Sequence, residues 1–560
     1  MGDPTSTSWQ ALVADKRRRQ AQTIPKEWLI STPSDTELTV TDVPATCGLL
    51  TEKELLITSS DVDHLLKKLA SAEWSSVEVT TAFYKRAIVA HQLVNCLTEI
   101  FVDRALARAK ELDEHLQSTG KVIGPLHGLP ISCKDQLRIK GLETTMGYVS
   151  WIGKYADKNS ALVDILYECG ANPFVQTNIP QTLMWPETFN NVFGRTLNPH
   201  NRTLTSGGSS GGEGTLVALR GSPLGIGSDV GGSVRIPSVF CGVYGLRPSY
   251  GRVPYAGALN SMEGQDSVPS VFGPICNSIA GVKIFMKAVI DSKPWLKDPL
   301  AVRKKWDAEA YGLEEHGHGE KLVFGIVWNN GQTVPHPPVI RALEMTKAAL
   351  LAAGHQVVDW VPHRHAEISK VVNDIWSAGC VEDYHSVTNL TGEPLIDTML
   401  AEGEVLPTTF RPESDASSST FQLWQLQKAK LKIRQECLEM WEETAKTTGT
   451  GRPVDAIISP AAPYAAPPHG KNTDASYTTV FNGLDYPSCV FPVTRVDPVK
   501  DAKKPPHQFL SSMDETNYNL YDPNTFFNAP VGLQLSGRTL EEEAVIAMTE
   551  IVDAALRAQK

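Results

Sequence analysis

The residues best equipped for chemistry lie between positions 205 and 249. There Gly207-Gly-Ser209-Ser-Gly211 and Gly231-Gly232-Ser233 set two serines on glycine turns, 233 − 209 = 24 residues apart. Thirteen of the 42 glycines fall between Gly207 and Gly251. The apolar segments Thr215–Leu219, Pro223–Gly227 and Val234–Phe240 run between them, which a flexible Gly/Ser linker does not show. Glycine inside a core-forming pattern marks positive φ or a close backbone approach. Ser233 follows two glycines whose N–H groups no side chain shields, and N–H groups converging on one point make an oxyanion-binding nest. A serine hydroxyl is a weak nucleophile without an adjacent base, and the tract contains no histidine. The base has to come from another segment. Gly128-Leu-Pro-Ile-Ser-Cys-Lys134 is a short apolar run ending in lysine. Burial at such a strand end drives an amine toward its neutral, basic form; taken alone, Lys134 also reads as an ordinary solvated lysine.

Competing motifs fit less well. A phosphate-binding loop needs a lysine directly after its last glycine, and none follows Gly212 or Gly214. Gly225-Ile-Gly227-Ser-Asp-Val-Gly231 is one residue too long for a dinucleotide fingerprint. Gly207–Gly211 matches the Gly-x-Ser-x-Gly nucleophile elbow, but that elbow follows a buried strand, and Asn198–Thr205 is polar and turn-like. Ser118-Thr-Gly-Lys121 fits Ser-x-x-Lys in a polar turn, without the partner motifs. His316 with His318, and His363 with His365, match no metal-ligand spacing and read as solvated loop histidines.

Elements able to hold these residues are visible along the chain. Short apolar runs at Gly128–Ser132, Pro173–Gln176, Pro223–Gly227, Leu322–Trp328, His355–Trp360 and Asp455–Ser459 alternate with helical patterns. This predicts an α/β fold, with helices covering a largely parallel or mixed central sheet. Capping boxes at Ser75-Ser-Val-Glu78 and Thr539-Leu-Glu-Glu542 open helices. Trp9–Gln20, Asp61–Trp74 and Phe421–Lys446 are further helical stretches. Lys16-Arg-Arg-Arg19 reads as the solvated face of the first of these rather than as a nuclear signal. Thr408–Thr420 and Lys500–Asn524 look like surface insertions. The expected organisation is a helical N-terminal extension over 1–60 and one large catalytic domain over 61–560.

Composition narrows the class. With 560 residues and 41% apolar or aromatic side chains, the chain is neither disordered nor collagenous. A net charge of −11 argues against nucleic acid or an anionic membrane as the main partner. No apolar run approaches the ~18 residues of a membrane span. Nine scattered cysteines, an odd number without Cys-x-x-Cys, predict free and mostly buried thiols in a reducing cytoplasm. The N-terminus lacks a signal-peptide core; Gly2 and Ser6 fit an acylation pattern that Asp3 and Pro4 weaken.

Gly207–Arg247 resembles the defining tract of the amidase signature family, and Pro125–Gln136 resembles the segment carrying that family's lysine. The similarity runs from about Leu56 to Ala529-Pro-Val-Gly-Leu-Gln-Leu-Ser-Gly-Arg538. Thr23-Ile-Pro-Lys-Glu-Trp28 and Asn260-Ser-Met-Glu-Gly-Gln265 are more narrowly similar to fungal acetamidase-type general amidases. The resemblance implies a Ser–Ser–Lys triad: Ser233 as nucleophile, Ser209 as bridging serine on a cis peptide, and Lys134 as base. It also implies an oxyanion hole of the Val230, Gly231, Gly232 and Ser233 N–H groups, and support from Ser210, Asp229 and Arg235. Leu183 and Met184 match the stretch lining the acyl pocket, where Ser209 also meets substrate. The implied reaction hydrolyses a small monocarboxylic amide to carboxylate and ammonia, with no metal or organic cofactor. Longer acyl or secondary-metabolite amides, an amidotransferase subunit, and an inactive binding protein on the same fold are the other readings. A small-molecule amide is the expected partner, without nucleic acid or a stable membrane anchor; the sequence leaves a homodimer undecided.

Overall fold

The computed structural model describes residues 8–400 and 418–559. The Gly2 acylation pattern and all but the end of the Thr408–Thr420 segment lie outside them. Eleven strands form one mixed sheet: β1 Leu97–Ile100, β2 Pro130–Lys134, β3 Asn172–Thr177, β4 Leu224–Asp229, β5 Tyr244–Arg247, β6 Val271–Cys276, β7 Val323–Ile326, β8 Gln356–Asp359, β9 Ala456–Pro460, β10 Ser488–Arg495 and β11 Pro530–Ser536. Their spatial order is β1-β3-β2-β4-β6-β5-β10-β11-β9-β7-β8. All six strands expected from the sequence are present.

Two parallel blocks, β3-β2-β4 and β9-β7-β8, are joined through antiparallel strands. The first block positions the chemistry. Strand β2 is buried along its whole length. It runs parallel to β4 with Ser132 opposite Gly225 and Cys133 opposite Ile226. The two carboxyl ends therefore emerge side by side, the place where open α/β sheets bind ligands. One end carries Lys134; the other carries Ser228 and Asp229, then the turn to Ser233 and helix Arg235–Cys241. Ser209 arrives on a third segment, just before helix Gly211–Ala218.

The Ser75–Glu78 capping box is complete: Glu78 N–H donates to Ser75 Oγ, and Ser75 N–H to Glu78, both at 3.0 Å. The expected box at Thr539–Glu542 does not form. Helix Glu542–Arg557 starts without a side-chain cap, because Glu542 turns inward to accept from Ser249 N–H at 2.8 Å and Arg252 Nε at 2.9 Å. A buried arginine outcompetes a cap that water can replace.

The basic run is a solvated face only at Arg17 and Arg18; Lys16 and Arg19 turn inward. Helix Trp9–Gln22 docks on the sheet. Lys16, 2% exposed, donates to Glu99 and Glu143, Arg17 to the Val192 carbonyl at 2.6 Å, and Arg19 to Glu143 at 3.1 Å. His316 and His365 are buried rather than solvated, and His316 Nδ1 lies 2.9 Å from Asp455. All nine cysteines are unpaired and eight are buried. Among the described residues no helix is long and apolar enough to cross a membrane.

Candidate active site

Lys134 is completely buried, with Nζ donating to Ser209 Oγ at 2.6 Å and to Ser228 Oγ at 2.8 Å. Burial lowers its pKa from 10.5 to about 7, while the negative charge of Asp229, and that of Glu213 when ionised, pull the other way. An amine held there is substantially neutral at neutral pH and offers a lone pair. Ser228 is thus the second anchor of Lys134. Ser210 holds Ser228 in turn: Ser228 N–H donates to Ser210 Oγ at 3.2 Å, and Ser210 Oγ to the Ser228 carbonyl at 3.3 Å.

The peptide bond between Gly208 and Ser209 is cis. A Cβ at Gly208 would stand 2.5 Å from Glu187 N and 2.6 Å from the Glu187 and Trp185 carbonyls, so only glycine lets the chain pass. Glu187, its carboxyl pushed up to about 7 by burial, accepts from Gly470 and Asn472 N–H at 3.0 Å and closes the turn from behind.

Ser233 lies on the β4 turn and keeps 8% exposure. Its carbonyl accepts from Ser210 N–H at 3.2 Å, which pins the two serine loops together. The structure joins Lys134 to Ser209 but shows no hydrogen bond between Ser209 and Ser233 hydroxyls. The Val230, Gly231 and Ser233 N–H groups meet no acceptor among the described residues. The Gly232 N–H is different, donating to Asp229 Oδ1 at 2.9 Å. Gly232 has φ +134°, and a Cβ there would lie 2.3 Å from Thr478 Oγ1. That glycine is required by backbone shape.

Asp229 and Arg235 are both fully buried and paired at 3.0 Å through Nε and a terminal guanidinium nitrogen. Burial opposes the Asp229 charge, but Arg235 and the Asn482 amide at 2.9 Å hold its carboxyl far below the usual range. The Asp229 carboxylate also takes the N–H groups of Gly232 and Val234, fixing the curvature of the turn. Arg235 reaches on to the Thr478 carbonyl at 3.0 Å and Gln534 Oε1 at 3.1 Å, tying the loop to helix Ser476–Leu484 and β11.

Glu213 is a further buried acid beside Lys134. It accepts from the hydroxyls of Ser132 and Thr177, and burial raises its carboxyl to about 8. Leu183 and Met184 part company. Leu183, at φ +64°, is buried with Met146, Tyr148 and Ile179, whereas half-buried Met184 packs in the cluster that holds Trp376 and Val230, beside the Ser233 turn. Sequence reasoning did not reach Glu213, Asn482 or Trp376. Glu213 sits within the glycine tract; Asn482 and Trp376 lie on distant helices with nothing in their local pattern to mark them.

Comparison with known proteins identifies the family. The family model described as "Amidase" matches residues 78–546. An acetamidase of Aspergillus oryzae is 43% identical over 549 residues, 98% of each chain. One of Emericella nidulans is 43% identical over 97% of this chain and 98% of its own. The solved structure of a fatty acid amide hydrolase superposes with a TM-score of 0.90 at 32% identity, covering 98% of this chain and 95% of that one. A buried lysine on a cis-linked serine, beside a serine on a glycine turn, thus sits in a chain that matches amidases from end to end: it belongs to the amidase signature family and is a hydrolase of amide C–N bonds.

Proposed function

We propose that this amidase hydrolyses small monocarboxylic amides to carboxylate and ammonia, with Ser233 as nucleophile, Ser209 as proton bridge and Lys134 as base. The observation that carries the reading is the 2.6 Å contact between Ser209 Oγ and a lysine that burial holds near pKa 7. In acylation, neutral Lys134 takes the Ser209 hydroxyl proton while Ser209 takes that of Ser233. Ser233 Oγ then bonds to the amide carbon. The oxyanion develops against the free N–H groups of Val230, Gly231 and Ser233, each such donor contributing about 3 kcal/mol. When the C–N bond breaks, the proton held on Lys134 returns through Ser209 to the nitrogen, and ammonia leaves. Water attacks the acyl ester by the same relay, releasing carboxylate and restoring Ser233.

The relatives named acetamidase, at 43% identity, favour a short acyl group over the long one named for the 32% identical structure. Nine unpaired cysteines support a reducing, cytoplasmic setting. The test is ammonia release from acetamide, benzamide, hexanamide and glutamine. Acetamide is expected to be hydrolysed, and Ser233→Ala to lower turnover by about 10⁴-fold or more. A Ser233→Ala enzyme with wild-type rates would sink the assignment.

A further inference from the structure

Trp376 ends helix His365–Ser377, a part of the chain remote from the glycine tract. A Cβ placed on Gly231 would lie 2.8 Å from its Cη2 and 3.4 Å from its Cζ3, so the edge of the indole rests against the nucleophile turn. Thr478 Oγ1 donates to the Gly231 carbonyl at 2.7 Å and holds the turn in place against the ring. Trp376 is 7% exposed and belongs to the buried cluster against which half-buried Val230, Met184 and Met262 pack. Its indole Nε1–H is buried with no acceptor among the described residues. Buried indole N–H groups normally have a partner. An orphan donor on the ring whose benzo edge meets the Ser233 turn points to a partner that arrives with the substrate.

We infer that Trp376 is the specificity-determining residue of this site, its ring closing the acyl pocket to long chains and its N–H donating to the bound amide substrate. This rests on the small-amide reading above. An amide whose carbonyl oxygen sits about 3 Å from the Gly231 N–H has its substituents within reach of the ring that fills the space beside Gly231. The ring is rigid and wedged among buried neighbours, so it ends the space available to the acyl chain, whereas flexible Met184 on the same wall can adapt.

The experiment measures kcat/KM for acetamide and hexanamide in wild type, Trp376→Ala and Trp376→Phe. The ratio between two substrates in one preparation is independent of how much of a variant folds. Trp376→Ala is expected to raise the hexanamide-to-acetamide ratio at least tenfold. Trp376→Phe keeps most of the wall and loses the donor, so it should leave that ratio near wild type while raising KM for acetamide several-fold. An unchanged ratio in Trp376→Ala overturns the wall, and an unchanged KM in Trp376→Phe overturns the donor, in each case with the small-amide reading intact. A wild type that hydrolyses only hexanamide sinks that reading and this inference together.

Discussion

Lys134 Nζ stands 2.6 Å from Ser209 Oγ, with no water-exposed surface on either side of the contact. This is how a buried strand end favours the neutral form of a lysine. The strand end is buried, so the ammonium loses its hydration; Asp229 and Glu213 return part of that stabilisation without restoring the ordinary pKa. The hydroxyl that needs the base lies on a different loop, and the chemistry depends on how firmly the loops are held together.

Acylation should follow the neutral amine, so activity is expected to rise with pH through an acidic limb centred near 7. Lys134→Met should lose that limb along with nearly all turnover. Stability supplies a second reading with a definite sign. Between about 7 and 10.5 the unfolded chain binds a proton at Lys134 that the native chain does not, so this group makes the fold more stable as pH rises through that window. The difference in unfolding free energy between Lys134→Met and wild type is therefore expected to shrink as pH climbs from 7 to 10. Urea titrations at several pH values measure it, and a difference constant with pH would contradict a depressed lysine.

Ser228→Ala tests whether Lys134 needs its second anchor. The variant removes the 2.8 Å contact and leaves the one to Ser209. One hydrogen bond to a charged or proton-carrying group is worth about 1.5 kcal/mol, about tenfold in rate. The loss should appear in kcat with KM little changed, because Ser228 orients the base. Ser228→Thr keeps the hydroxyl and should recover most of the activity.

The strands legible in the sequence are β2, β3, β4, β7, β8 and β9, the strands that take part in parallel pairs. Each is an apolar run bounded by turns and helical pattern, and such βα units announce themselves. The five not foreseen pair only antiparallel. Antiparallel strands need no alternating helix to flank them, so no βα pattern marks them out; β1 is in addition only four residues with two polar ones. At the site, Lys134, Ser209 and Ser233 were legible because glycine turns and a strand-ending lysine leave a local signature. Trp376 and Asn482 reach the nucleophile turn only through tertiary packing. The Gly232 N–H, counted among the oxyanion donors, is taken by Asp229, a competition between a carboxylate and a substrate that spacing cannot show.

Asp229→Asn separates the stability of that turn from its electrostatics. It leaves Arg235 buried without its counter-charge, a loss of about 3–5 kcal/mol. It also removes a negative charge that raises the Lys134 pKa, so the acidic limb of the surviving activity should move to lower pH. A limb that stays in place would show that Asp229 acts on the fold alone.

The N-terminal helix places Lys16 between Glu99 and Glu143. Glu143 is two residues from Thr145, whose hydroxyl donates to Asp135 at 2.8 Å, and Asp135 follows Lys134 directly. The helix is thus coupled to the strand end that carries Lys134. Lys16→Met strips the charge from a buried site and should cost about 3 kcal/mol, the low end for a broken buried pair, because Arg19 keeps its hold on Glu143. The Lys16 pKa is raised: burial lowers it, and Glu99 with Glu143 more than compensates. Its contribution is therefore full below 10.5 and fades only as pH rises through the higher native value, so the cost should be constant from pH 6 to 9. Lys16→Arg should restore much of the stability. A Lys16→Met protein as stable as wild type would show the helix to be a passive cover rather than part of the frame behind Lys134.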